Sequence, residues 1–432
     1  MDGDSSPFVN PLLEVSDFDS AADKPMVLCA LPSAGEPVRF ALPKTYMDLI
    51  REFDGGKNID QAIDGFLERN SGSYEREWLL RLVNESLIPK GLLVYSHQDP
   101  ACVAVSSQPS RAFFYIKLPI IKPDVVDPIA QHLKFLFKPL ALALGLLLFI
   151  ASHIYVYGVL LGQQSVNFNE LNAGSILILM LLSTVGTVFH EFGHASAAAH
   201  YGCRRMTIGW GLYIIYTVLW TNVSDAWKLP RRQRVVVDIG GVHFESLFLL
   251  LMLALYMYTG NSIFLFAFVF IDLSIATTFN PFLRMDGYWL MSDLFGIVNL
   301  RNQQVLWLRN IASRWFGDGS QTSESDLSRK AKWALGIYTV LGIFFLAYIF
   351  KVIYEVVILS IVTAYPGMVG DLWTSIQTGM NGFDILGAVV ELFWRGLVIF
   401  GAIVTLYSFA KGGLRLFGEL LTARLGLASG KS

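Results

Sequence analysis

Apolar and polar positions divide the chain into two regimes. Up to about residue 100 the apolar positions come in short periodic groups, and from about residue 138 they merge into long runs. In the first regime Met26–Leu31 and Val38–Leu42 read as strands on either side of the turn signal Ser33-Ala34-Gly35-Glu36. Tyr46, Leu49, Ile50 and Phe53 fall at helical spacing, as do Ile59, Ala62, Ile63 and Phe66, and then Trp78, Leu79, Leu82 and Val83. Asp54-Gly55-Gly56 and Asn70-Ser71-Gly72-Ser73 separate these helices, and Gly91-Leu92-Leu93-Val94-Tyr95 reads as a closing strand. A hairpin, three short helices and a strand predict a small α+β unit of winged-helix type over residues 1–100. Residues 101–137, with Pro109, Pro119, Pro123 and Pro128, read as a linker.

The long runs are of membrane length, since a span needs roughly 20 predominantly apolar residues. Spans are expected near 139–161, 174–200, 235–258, 262–282, 334–361 and 385–410, which makes residues 138–432 a polytopic α-helical membrane domain of six spans. Glu391 and Arg395 in the last run are four residues apart and suited to pair on one helix face, and Lys351 leaves the end of the fifth run open. Composition agrees: 53% of residues are hydrophobic and 16% charged, and mean hydropathy is +0.49. Soluble chains carry about a quarter charged residues.

Loop charge gives a direction. Lys and Arg crowd the segments before the first run, after the second and fourth, and the tail, whereas 162–173, 259–261 and 362–384 contain neither. Both termini are therefore expected on the cytoplasmic side. The opening MDGDSSPFVN has no basic stretch followed by an apolar core, so no signal peptide is read there. Net charge is −2, which suggests no nucleic-acid partner. Cys29, Cys102 and Cys203 make neither a metal-ligand spacing nor a disulfide framework, and read as free thiols.

The chemistry concentrates in the second run, at His190-Glu191-Phe192-Gly193-His194. Four helical residues turn about 400°, so both imidazoles project from one face, the spacing one zinc ion needs. Glu191, beside the first His, is placed to take a proton from water as general base. Three ionisable residues inside a span are costly without a partner, and a divalent cation supplies one. A third ligand has to come from another span. Asp286 follows Asn280-Pro281, where the fourth run breaks, and Gly287 permits a tight turn beside it. The second and fourth runs cross in the same direction, so Asp286 arrives on the side where His190 and His194 lie. Asn280 is either a ligand for the substrate backbone or developing oxyanion, or a cap on the broken helix. His153, His200 and His243 lack partner spacing. His243, in Gly240-Gly241-Val242-His243-Phe244-Glu245, is the position able to close the site as an extra ligand or support it from behind. Gly209–Asn222 reads as a membrane-associated hairpin or re-entrant loop whose free strand edge suits an extended peptide, or else as an interfacial anchor.

These residues resemble the site-2 protease family of intramembrane zinc metalloproteases. The match is His190-Glu191-Phe192-Gly193-His194 on one span with Asn280-Pro281 and Asp286-Gly287 two spans later, over roughly residues 135–300. The family's usual Leu-Asp-Gly reads Met285-Asp286-Gly287 here. The resemblance implies a three-span core at about 173–300, one Zn2+ per chain on His190, His194 and Asp286, and Glu191 as catalytic base. Phe282 to Trp289 and Val223-Ser224-Asp225-Ala226-Trp227 look like a bacterial peptide zinc metalloprotease branch, which implies a bacterial inner membrane and partners in peptide export or modification. Phe53 to Asp60 and Ile88 to Leu93 resemble PqqD-like domains, which implies capture of a precursor's leader peptide. Basic residues there alternate with acids, as in Glu75-Arg76-Glu77, a pattern that favours peptide over DNA. The expectation is an intramembrane zinc endopeptidase that cuts a peptide or membrane-bound precursor near the cytoplasmic boundary. Two rivals stand beside it: a membrane scaffold or export partner with a structural or vestigial zinc site, and a protease acting on a transmembrane regulator.

Overall fold

The computed structural model describes residues 6–32, 37–70, 74–96, 98–100, 116–163, 173–213, 216–316, 327–352, 354–355 and 365–377, and positions 389, 392, 396, 403 and 407. In the N-terminal unit the expected hairpin forms as β3 (Met26–Leu31) and β4 (Val38–Pro43). A further strand, β2 (Glu14–Phe18), pairs antiparallel with β3 from Glu14↔Ala30 to Phe18↔Met26. Apolar periodicity does not mark β2, because all of it but Phe18 is exposed. The helices α1 (Lys44–Arg51), α2 (Ile59–Arg69) and α3 (Arg76–Leu82) stand where the spacing put them. Gly55 and Gly56 take φ of +100° and +76° in the break before α2, a region that costs glycine little. A reciprocal cap opens α2: Gln61 N–H donates to Asn58 Oδ1 (2.8 Å) and Asn58 N–H to Gln61 Oε1 (3.2 Å). The closing strand β5 (Leu93–Val94) pairs with β1 (Phe8–Val9), apart from the three-stranded sheet. Leu31, Ile50, Phe53, Ile63 and Leu87 are fully buried between sheet and helices.

The expected linker is corrected over 116–137. That segment folds into β6 (Ile116–Ile121), α4 (Pro123–Leu133) and a 3-10 turn, and Val126, Ala130 and Phe137 are buried against the alanines that follow His194. Its prolines read as linker, yet two of them suit ordered positions, and only Pro128 falls inside the helix. Pro119 sits at a register shift in β6, and Pro123 opens α4, where no N–H is needed. Residues 101–115 lie outside the described residues.

Among the described residues, four helices are long and apolar enough to cross a membrane: α5 (Pro139–Tyr155, extended by a π-turn to Leu160), α6 (Ala173–His200), α7 (Arg231–Thr259) and α11 (Arg329–Val352). Among the described residues the six-span expectation differs in one place. α8 (Ser262–Thr278) is apolar but has 17 residues, because the chain leaves the helix before Asn280-Pro281. The run at 385–410, with its Glu391–Arg395 pair, falls almost wholly outside the described residues. Lys351 pairs with Glu355 one turn on, at 3.8 Å.

α7 is the centre of the helical unit: 56% of its apolar window is buried, against 17% to 22% for the other three. Gly193 of α6 and Gly240 of α7 face each other so closely that a Cβ on either would collide with the opposite carbonyl. Small residues at such a crossing let two backbones approach. Residues 209–222 do form a hairpin, β7 (Ile208–Tyr213) with β8 (Tyr216–Thr221), and β6 joins it in the order β6-β7-β8. α9 (Asp286–Phe295) and α10 (Leu300–Phe316) follow α8.

Residues 18–22 dock the N-terminal unit on the helical one. Ala21 N–H donates to Gly296 O (2.9 Å) and Ser328 N–H to Ala21 O (3.1 Å). Buried Arg234 donates to Asp19 O (3.0 Å), Leu229 O (2.9 Å) and Asp293 Oδ1 (2.8 Å), with its guanidinium 4.7 Å from the Phe18 ring.

Candidate metal centre

His190 and His194 lie one turn apart on α6, and their Nε2 atoms are 3.1 Å from each other. Asp286 is the first residue of α9, where a carboxylate suits the positive end of the helix dipole. Gly287 lets it enter the site, because a Cβ at 287 would strike the Phe279 carbonyl. Asp286 Oδ2 lies 2.7 Å from His190 Nε2 and 3.2 Å from His194 Nε2. One ligand atom from each of the three residues falls within 4.8 Å of the others, a geometry that suits one metal ion. The expected trio, separated by 96 residues in the chain, is thus brought together.

Hydrogen bonding behind the imidazoles tests the fit. His194 Nδ1 lies 2.8 Å from the Val237 carbonyl, which only accepts, so Nδ1 carries the proton. His190 Nδ1 lies 2.9 Å from Glu245 Oε2 and donates to that carboxylate. In the neutral imidazoles both Nε2 atoms are then lone pairs, aimed at each other and at a carboxylate oxygen. Three acceptors at such distances repel unless a cation lies among them, and outer bonds to a carbonyl and a carboxylate are what metal-bound histidines make. The donor set, two imidazoles and one carboxylate, fits zinc with a further position left open.

Glu191 faces the same region but is not in the trio. Its Oε2 accepts from Thr221 Oγ1 at 2.6 Å, and the side chains of His190, Glu191 and His194 are all buried. Asn280 takes the capping role: its Oδ1 accepts from Phe282 N–H at 2.9 Å across the broken end of α8.

His243 is not brought to the site. It packs edge-on to Phe137 at 5.3 Å, closely against Gly145 of α5, and its Nε2 has no hydrogen-bond partner among the described residues. The residue that supports the site from the same motif is Glu245. Two helical residues turn about 200°, so neighbours two apart cannot share a face. Val237, Gly241 and Glu245, spaced by four, form the face against the site, with Gly241 packed on the His190 ring. That spacing was the available signal for Glu245. Thr221 carried no comparable signal. His153, which lacks partner spacing in the sequence, bonds Asp272 of α8 at 2.9 Å.

Among known protein families, curated proteins and solved structures, no match to the chain is found.

Proposed function

We propose that the chain is an intramembrane zinc metallopeptidase of site-2 protease type, whose N-terminal unit recruits a peptide or membrane-bound precursor. The observation that carries this reading is the convergence of Asp286 on His190 and His194, with Glu191 beside the trio and not part of it. A purely structural site would have a fourth protein ligand, and among the described residues only these three form such a group. His243, the position able to close it, packs instead against Gly145 and Phe137.

His190, His194 and Asp286 would hold the zinc. When bound, zinc supplies Lewis acidity toward a peptide carbonyl and acidifies water at neutral pH. Glu191 takes the proton from water as general base and returns it to the leaving amine. Glu245 and the Val237 carbonyl hold the imidazoles in the tautomer that leaves Nε2 free for metal. An extended substrate pairs beside β8, the outer strand of its sheet, whose last residue touches Glu191. The protein sits in a bacterial inner membrane with both termini in the cytoplasm, so that the precursor reaches the N-terminal unit and the site from one side.

The test uses full-length protein in lipid vesicles, offered soluble and membrane-inserted polypeptides, with products read by mass spectrometry. The parent yields defined cuts. Glu191→Gln keeps its zinc and loses turnover by at least about 10²-fold. Parental turnover in zinc-loaded Glu191→Gln excludes the mechanism.

A further inference from the structure

The side chains of the centre are held from two different directions. Both imidazoles lean on α7, through Glu245 and the Val237 carbonyl. Glu191 leans on the small sheet. Thr221 Oγ1 lies 2.6 Å from Glu191 Oε2 and 3.1 Å from the Glu191 carbonyl oxygen. The shorter contact is in the range of a hydroxyl donating to a carboxylate, one of the stronger hydrogen bonds in proteins. A glutamate beside a metal ligand is not itself fixed by the metal, because its flexible stem still has to be aimed.

Thr221 is well placed to do the aiming. It is the last residue of β8 and pairs with buried Ile208 of β7, which pairs in turn with Ile121 of β6. Asn222 N–H donates to Thr207 O at 2.8 Å, which locks the strand end in register. Next to it, Trp220 packs on Gly209 and lies under the Lys117 ammonium, 4.0 Å from its ring centroid. The ends of three strands therefore meet at the residue that grips Glu191.

We infer that Thr221 is the positioning residue for Glu191, so that base orientation is built on the β6-β7-β8 sheet while metal retention is built on α7. The inference rests on the reading of Glu191 as general base and deepens it. It assigns a role to the sheet beyond anchoring: a polypeptide strand laid beside β8 lies next to the side chain that aims the base, and its binding is sensed there. Loss of the Thr221 hydroxyl leaves the metal site intact and misaims Glu191.

The experiment compares Thr221→Val and Thr221→Ala, which lack the hydroxyl, with Thr221→Ser, which keeps it, in full-length protein whose folding is checked by size-exclusion chromatography. Two readouts need no substrate. Zinc affinity by chelator competition stays at the parental value in all three variants, while Glu245→Ala lowers it. The infrared carboxyl band assigned to Glu191, by its loss in Glu191→Gln, shifts in Thr221→Val and Thr221→Ala and returns in Thr221→Ser. In turnover assays the hydroxyl-free variants lose kcat by about 10- to 100-fold at unchanged KM, and Thr221→Ser recovers most of it. A band that stays at its parental position in Thr221→Val, or a zinc affinity that falls as it does in Glu245→Ala, overturns the inference. Failure of the underlying reading looks different: Glu191→Gln then cleaves at the parental rate, whatever the band does.

Discussion

His190 on α6 donates from Nδ1 to Glu245 on α7 across 2.9 Å, between residues 55 positions apart in the chain. The bond fixes which imidazole nitrogen faces Asp286. Outer partners of this kind are worth about 10- to 100-fold in metal affinity. Glu245→Ala is therefore expected to weaken zinc binding by that factor, read by competition with a chelator of known affinity. The same variant should leave the N-terminal unit unaffected, since the Phe18 and Asp19 contacts to α7 are made at Arg234, about three turns from Glu245.

His243 supplies the contrast. It is two residues from Glu245 and on the far side of α7, against Gly145 and Phe137. His243→Leu should leave zinc stoichiometry and affinity at parental values, because it removes a ring from an apolar seam and not a ligand. Loss of zinc in this variant would restore His243 to the site and make the centre a closed one.

These two residues also mark how far the sequence can be read. The His190–His194 pair follows from the period of one helix, and Asp286 from the direction of another run, so neither needs tertiary detail. The supporting residues do. Glu245 and His243 occur in the same six-residue motif, and only the face of α7 turned to α6 separates them. That face was encoded in Gly240, whose closeness to Gly193 sets the crossing, but a glycine pair has no partner label in one sequence. β6 is a similar case. It pairs with β7, from Ile116↔Leu212 to Ile121↔Ile208, so the signal for a strand lies some 90 residues away and local prolines read as a linker. β2 was hidden for the opposite reason, because an exposed edge strand lacks apolar alternation.

The Gly193–Gly240 crossing gives a stability prediction. A Cβ at 240 would meet the Gly193 carbonyl at 2.7 Å and the Ala197 Cβ at 3.0 Å. Gly240→Val should force the helices apart and cost about 1–3 kcal/mol, as overpacking does. Thermal unfolding in detergent, with zinc removed from both proteins, separates this loss from a loss of metal. An unchanged midpoint would contradict the close crossing.

Burial has a chemical consequence for two thiols outside the spans. Cys29 lies in the N-terminal core and Cys203 just beyond α6, and both are free. Burial pushes each thiol up to about 11. The thiolate is the reactive form, so at pH 8 both should resist iodoacetamide in folded protein and react once denaturant exposes them. Peptide mapping after alkylation reads each site separately. Rapid labelling of either in the native protein would contradict its placement.

The most direct test of the central claim is the zinc content of purified full-length protein, measured in the parent and in Glu191→Gln, His194→Ala and Asp286→Ala side by side. The account predicts about one zinc per chain in the parent and in Glu191→Gln, and loss of it in the other two, as expected for three protein ligands beside a base that does not bind metal. Zinc retained after both ligand substitutions, or lost with Glu191→Gln alone, would contradict it.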